Sequence, residues 1–411
     1  MRLLPQRLII EQRAKTIQDP IERLRFLRNN AASDLLPLDE QARQTPAPPL
    51  PPATESIWTW PSYRSLLVAG GVVAAAILIA STFSAVRSHA NTANPSAPSS
   101  VIKDVKDQAS LHSGAENSIW LVEQTKETEV YSNGLRIETR FEVPNFPRNT
   151  YAVYPRGEAN AKHALRMDEP AGIIYHTTES LLAPFQPDQN RMLKRISSEV
   201  LKFVQHNHSY HFFIDRFGRI YRVVKESDVA FHAGNSVWGD SGRVFVNLNT
   251  SFLGVAFETQ TEPGQNQPTA TSAQINSARV LTEMLRDRYH ILAENCVTHA
   301  QVSVNPGKML IGYHTDWAGK FPFLELGLRD NYAQPPASIT AFGFDYDPAF
   351  VASTGSRLTP GLLAADAELR EHAAKLKCSV PQLKAMLQNN YREIAAAVRS
   401  GESAKETASE K

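Results

Sequence analysis

From Ser65 to Val86 the chain reads SLLVAGGVVAAAILIASTFSAV and holds no charged residue; Arg64 and Arg87 bound the run. A helix of ~20 apolar residues spans a bilayer core, so this pattern predicts a single transmembrane helix over 65–86. Trp58, Trp60 and Tyr63 stand just before it, where amphipathic rings favour the interface. The run starts too far from Met1 and is too long for a cleaved signal peptide. Elsewhere the pattern changes period. Ser118–Glu123 and Glu127–Val143 alternate apolar and polar residues around Asn133-Gly134, which predicts a hairpin. Ala171–Tyr175 and Ser251–Thr259 are apolar runs that predict buried strands. Tyr210–Ile214 and Ile220–Val224 flank Arg216-Phe217-Gly218-Arg219 and predict a second hairpin. Pro187–His206 has helical period through Met192, Ile196, Val200 and Phe203, and Ser272–His290 through Ile275, Leu281 and Leu285. Ser272 is the expected cap of the latter helix. Strands and helices in this order predict an α/β domain whose mixed central sheet is flanked by helices.

Five regions follow. Residues 1–64 form an arm with a proline-rich spacer, Thr45–Thr54 (TPAPPLPPAT). The apolar run 65–86 comes next, then a stalk over 87–117 rich in Ser, Ala, Asn and Pro. Residues 118–335 form the folded domain, and 336–411 an extension that ends in helices. In that extension Val380, Leu383, Leu387, Tyr391, Ile394 and Val398 make one apolar stripe. It is read as packing, either within the chain or against a second copy or a regulatory partner.

Charge sets the orientation. The first 64 residues carry nine Lys/Arg, whereas 87–118 carry only Arg87, Lys103 and Lys106. The positive-inside rule then puts the N-terminus in the cytoplasm and the larger portion outside. The whole chain balances 43 basic against 42 acidic residues, for a net charge of +1. That balance excludes a nucleic-acid binder held by bulk charge. Two cysteines, Cys296 and Cys378, are too few for a disulfide scaffold or a Cys-rich zinc cluster. Their pairing is left open.

Histidine is the informative residue type. His176 ends the strand GIIY, His299 follows a short strand, and His314 and Asp316 lie in YHTDW. In an extended segment two residues one apart point to the same side. Neutral imidazoles with one carboxylate make a common zinc set that leaves a position for water. No HExxH is present, which excludes a helix-borne protease site as the simple reading.

Residues 170–325 resemble the type 2 N-acetylmuramoyl-L-alanine amidases, which include phage lysozyme-type amidases and peptidoglycan recognition proteins. Four segments carry the resemblance in order: GIIYHTTES, SYHFFIDRFGRIYRVV, VAFHAGNSVWGD with LNTSFLGVAFET, and VTHAQVSVNPGKMLIGYHTDW. The third is similar to the bacterial branch that acts on anhydromuramoyl peptides. The resemblance implies a zinc ion held by His176, His299 and Asp316, with His314 an alternative third ligand. It implies Glu258 as general base, Tyr210 as a catalytic group near the metal, and His232 and Asn249 as residues lining the substrate groove. His314 stands where many members have a catalytic Lys; Lys308 is its rival for that role. His299 and Asp316 are seventeen positions apart, longer than the resemblance leads one to expect. The implied substrate is peptidoglycan or a muropeptide, cut at the amide between N-acetylmuramic acid and L-alanine. A bacterial inner-membrane protein with a periplasmic catalytic domain is the implied setting.

Overall fold

The computed structural model describes residues 118–159, 161–262 and 269–409. The arm 1–64, the expected transmembrane run 65–86 and the stalk 87–117 lie outside the described residues. Among the described residues, no helix is long and apolar enough to cross a membrane.

The strands, in chain order, are β1 (Leu121–Gln124), β2 (Thr128–Tyr131), β3 (Arg136–Glu138), β4 (Tyr151–Pro155), β5 (Leu165–Met167), β6 (Gly172–Thr177), β7 (Phe212–Ile214), β8 (Ile220–Arg222), β9 (Val237–Gly239), β10 (Arg243–Val246), β11 (Phe252–Phe257), β12 (Cys296–Thr298), β13 (Val304–Asn305) and β14 (Leu310–Ile311). The helices are α1 (Asn190–Asn207), α2 (Ser272–Tyr289), α3 (His299–Val302), α4 (Ala337–Thr340), α5 (Pro348–Ser353), α6 (Thr359–Lys375) and α7 (Val380–Ser409). An eight-stranded mixed sheet runs β1-β2-β3-β8-β7-β11-β6-β12. Its centre is parallel: β7, β11, β6 and β12 share one direction. Every residue of β6 and of β11 is buried. That is why both read as unbroken apolar runs rather than as alternation.

Both foreseen hairpins form. Gly134 supplies a positive φ of 82° between β2 and β3, and Asn133 Oδ1 accepts from Leu135 N–H. Gly218, with φ 78°, turns β7 into β8. In α1 the buried line is Leu193, Ile196, Val200 and Val204, one position on from Met192 and Phe203, which stay half-buried. The cap of α2 is Thr271 rather than Ser272. Thr271 accepts from Gln274 N–H while the Gln274 side chain accepts from Thr271 N–H, so two otherwise orphaned donors are satisfied together.

A second sheet, β5-β4-β10-β9, is antiparallel throughout. It sets Val153, Trp238 and Phe245 against Ile174, Phe252 and Val297 of the main sheet. It covers the part of that face nearer the strands' amino ends, and α1 covers the part nearer their carboxyl ends. On the opposite face α2 packs Leu281, Met284 and Leu285 into the core with Tyr175, Val255 and Phe257. The C-terminal stripe is spent within the chain. Leu383, Leu387, Tyr391 and Ile394 of α7 are buried, with Tyr391 against the rings of Phe342 and Phe344. Each such side chain contributes about 1.5–3 kcal/mol on burial, which accounts for the stripe without a partner. Cys296 and Cys378 are both free thiols.

Candidate metal centre

Parallel pairing brings the first two candidates together. Ile174 of β6 stands opposite Val297 of β12, and Tyr175 opposite Thr298. The next residues are therefore neighbours: His176, still in β6, and His299, the first residue of α3. Thr298 caps α3 in a box with Gln301, which turns the chain off the sheet just where His299 must face inward. Asp316 arrives from the loop after β14. The seventeen positions from His299 to Asp316 hold α3 and the β13–β14 hairpin. Ala300 N–H reaches the Asp316 carbonyl, and the Tyr332 hydroxyl donates to the Trp317 carbonyl. Trp317 has φ 63° and anchors its indole on Phe257 and Phe321.

The three side chains converge. Their ligand atoms lie within 4.8 Å of one another, and all three residues are buried. His176 Nδ1 is 3.3 Å from Asp316 Oδ2, and His299 Nδ1 is 3.0 Å from Asp316 Oδ1. None of these four atoms makes a hydrogen bond. Burial, with His299 beside it, pulls His176 down to about 4, so that ring is neutral at physiological pH. Two imidazole nitrogens and one carboxylate, buried and without hydrogen bonds, are the donor set that suits zinc.

Around the trio stand the other candidates. The His314 ring stacks on His299, centroids 4.4 Å apart and planes within 19°. Ser303 holds the His314 backbone by both its N–H and its carbonyl. Lys308, by contrast, is exposed in the β13–β14 turn. The Tyr210 ring lies 5.1 Å from His176. His232 is buried, and its Nδ1 lies 3.1 Å from His176 Nε2. Asn249 Oδ1 accepts from the backbone N–H of His232 and of Ala233, so it shapes the His232 loop. His211, outside the trio, pins β7 to β11 by accepting Gly254 N–H at Nδ1.

Glu258 belongs to a different nest. It follows Phe257, which pairs with Thr177 beyond His176. Its Oε2 accepts from Ser197 Oγ of α1 at 2.6 Å and from Arg216 N–H at 3.1 Å. Burial lifts its carboxyl to about 7. Arg216 is itself buried, and its guanidinium makes no hydrogen bond. Neither periodicity nor motif marks this nest, since it joins α1, the β7–β8 turn and the end of β11. The residue of β11 in register with His176 is Ala256.

A mixed sheet whose parallel centre ends in a buried His–His–Asp trio defines an α/β domain built around a candidate metal centre. Residues 166–315 match the family model described as N-acetylmuramoyl-L-alanine amidase. Among solved structures the chain is similar to AmpDh3 from Pseudomonas aeruginosa in complex with an anhydromuramic pentapeptide (21% identity, 47% of this chain and 82% of that one, TM-score 0.33). It is similar to the amidase AmiD from E. coli with its substrate anhydro-N-acetylmuramic acid-L-Ala-D-gamma-Glu-L-Lys (21% identity, 57% and 86%, TM-score 0.31). It is also similar to the amidase LysC from Clostridium intestinale (22% identity, 38% and 83%, TM-score 0.24). No curated protein matches the chain.

Proposed function

We propose that this protein is a zinc-dependent amidase that hydrolyses the amide between N-acetylmuramic acid and the L-alanine of the peptidoglycan stem peptide. The observation that carries the reading is the trio of His176, His299 and Asp316, buried, converging and unsatisfied; the family match holds both histidines and ends one residue before Asp316. When bound there, zinc supplies Lewis-acid chemistry: it lowers the pKa of a water molecule and polarises the scissile carbonyl.

The chain's own residues supply the rest. Asp316 contributes the one negative charge of the donor set, and the two imidazoles keep the site at low net charge. His314, fixed on His299 by stacking, is placed to donate to the oxygen that gains charge when the amide is attacked. Tyr210 is a second donor on the His176 side. Glu258, with its carboxyl near 7, can take up and return a proton around neutral pH. The apolar run 65–86 would hold the domain at the bacterial inner membrane, with the arm cytoplasmic and the catalytic domain periplasmic. Reporter fusions on either side of 65–86 test that placement.

The test of activity uses the purified full chain and intact peptidoglycan. Release of peptides beginning with L-alanine is expected, with loss on chelation and recovery on zinc addition. Full activity in His176→Ala would end the metal assignment. One observation favours a second reading: the Glu258 carboxylate is turned to Ser197 and Arg216, and Ala256 stands beside His176. On that reading the protein binds muropeptides without cutting them. Saturable muropeptide binding with no released peptide would establish it.

A further inference from the structure

We propose that His232 is a positioning residue for the metal site: it accepts the Nε2 proton of His176 and so keeps His176 Nδ1 unprotonated and aimed at Asp316. The inference rests on the zinc reading above, and it comes from following one proton through three groups. Phe252 C=O can only accept, and it lies 3.1 Å from His232 Nε2. His232 Nε2 therefore carries the proton and donates. Among the described residues no carboxylate pairs with His232, so its Nδ1 presents a lone pair. That lone pair faces His176 Nε2 at 3.1 Å, which must then be the donor. The proton of the neutral His176 ring is thereby committed to Nε2. Its Nδ1, 3.3 Å from Asp316 Oδ2, is left as a bare donor atom.

The surroundings hold His232 in this pose. Its backbone N–H is tied to Asn249 Oδ1, and the ring lies over Gly254 of β11. A Cβ at Gly254 would come within 2.6 Å of His232 Cγ, so the glycine is the space the ring occupies. Beneath it, Phe252 offers its carbonyl from the first residue of the same strand. In the sequence His232 sits in the VAFHAG motif and reads as a groove residue. In the fold it is only 5% exposed and touches the candidate ligand instead.

Two measurements on the full chain test this. The first is the tautomer of each ring in metal-free protein labelled with 15N-histidine. Protons on Nε2 of both His176 and His232 are expected; a proton on Nδ1 of either ring would overturn the relay. The second is zinc affinity by competition with a chromophoric chelator. His232→Ala is expected to weaken zinc 10–100-fold, the usual cost of losing an outer partner of a metal ligand. His232→Asn, whose Oδ1 stands near the lost Nδ1, is expected to recover most of that loss. Equal affinity in His232→Ala and the parent chain would refute the positioning role. So would an Asn variant as weak as the Ala variant at equal metal-free Tm. If the parent chain takes up no zinc while the tautomers are as expected, the relay stands as a proton path and the zinc reading falls.

Discussion

Asp316 Oδ2 lies 3.3 Å from His176 Nδ1, with both side chains fully buried. A carboxylate facing a nitrogen lone pair is repulsive unless a cation sits between them. Asp316→Asn removes the charge and offers an N–H that can donate to the His176 or His299 nitrogen. Metal-free Tm is therefore expected to rise, by the equivalent of about 1–3 kcal/mol. The parent chain should gain ~4 kcal/mol from zinc at a thousand times its Kd, and the variant little of this. Scanning calorimetry with and without zinc reads both signs. A lower metal-free Tm in the variant would mean that Asp316 is satisfied without metal.

The His314 ring stacks on His299, and Ser303 holds the His314 backbone. His314→Ala should therefore leave zinc affinity unchanged while removing a donor to the developing oxyanion. A fall in kcat of about 10²–10³ is expected, the usual cost of one such donor. Steady-state kinetics alongside zinc competition separate the two effects. A parallel loss of zinc would make His314 a ligand.

Glu258 links stability to pH. Folded, its carboxyl titrates at about 7 because it is buried; in the unfolded chain it titrates near ~4.3. Between these values the folded state keeps a proton that the unfolded state has lost, so stability falls as pH rises. Below ~4.3 the group contributes nothing, and above about 7 the penalty is complete, on the order of 3 kcal/mol. Glu258→Gln stays neutral and lacks this decline. Its Tm relative to the parent should climb steadily from pH 5 to pH 8. A flat difference across that range would show that the carboxyl titrates normally.

Local pattern carried much of this fold into view. β6, β11, α1 and α2 each bury a face wide enough to leave a run or a period in the sequence. The members of the trio stood out as candidates because each sits beside a strand end or within a short motif, and the family resemblance joined them into one ligand set. The second sheet was not: β4, β5, β9 and β10 are three to five residues long and gain their meaning only from pairing with one another. The same holds for the contacts between His176 and His232, and between Glu258 and Ser197, which span 56 and 61 positions. No periodicity records such pairs; parallel crossovers create them. The C-terminal stripe was legible as packing, but its cover, Phe342 and Phe344, is set by a chain reversal rather than by spacing.

Gly254 and His232 provide the last test, because their contact can be switched off from either side. Gly254→Ala places a methyl 2.6 Å from His232 Cγ and 2.9 Å from its Nδ1. Gly254 has no positive φ, so the cost comes from the ring and not from the backbone. Overpacking of this kind costs about 1–3 kcal/mol, and displacing the ring should also loosen zinc. In a His232→Ala background the space is empty, and the same methyl should fit at little cost. A double-mutant cycle in urea midpoints is therefore expected to give a coupling of at least about 1 kcal/mol, with the double variant more stable than the two single costs would sum to. If Gly254→Ala costs the same in both backgrounds, the methyl meets something other than His232, and the glycine owes its place to β11 alone.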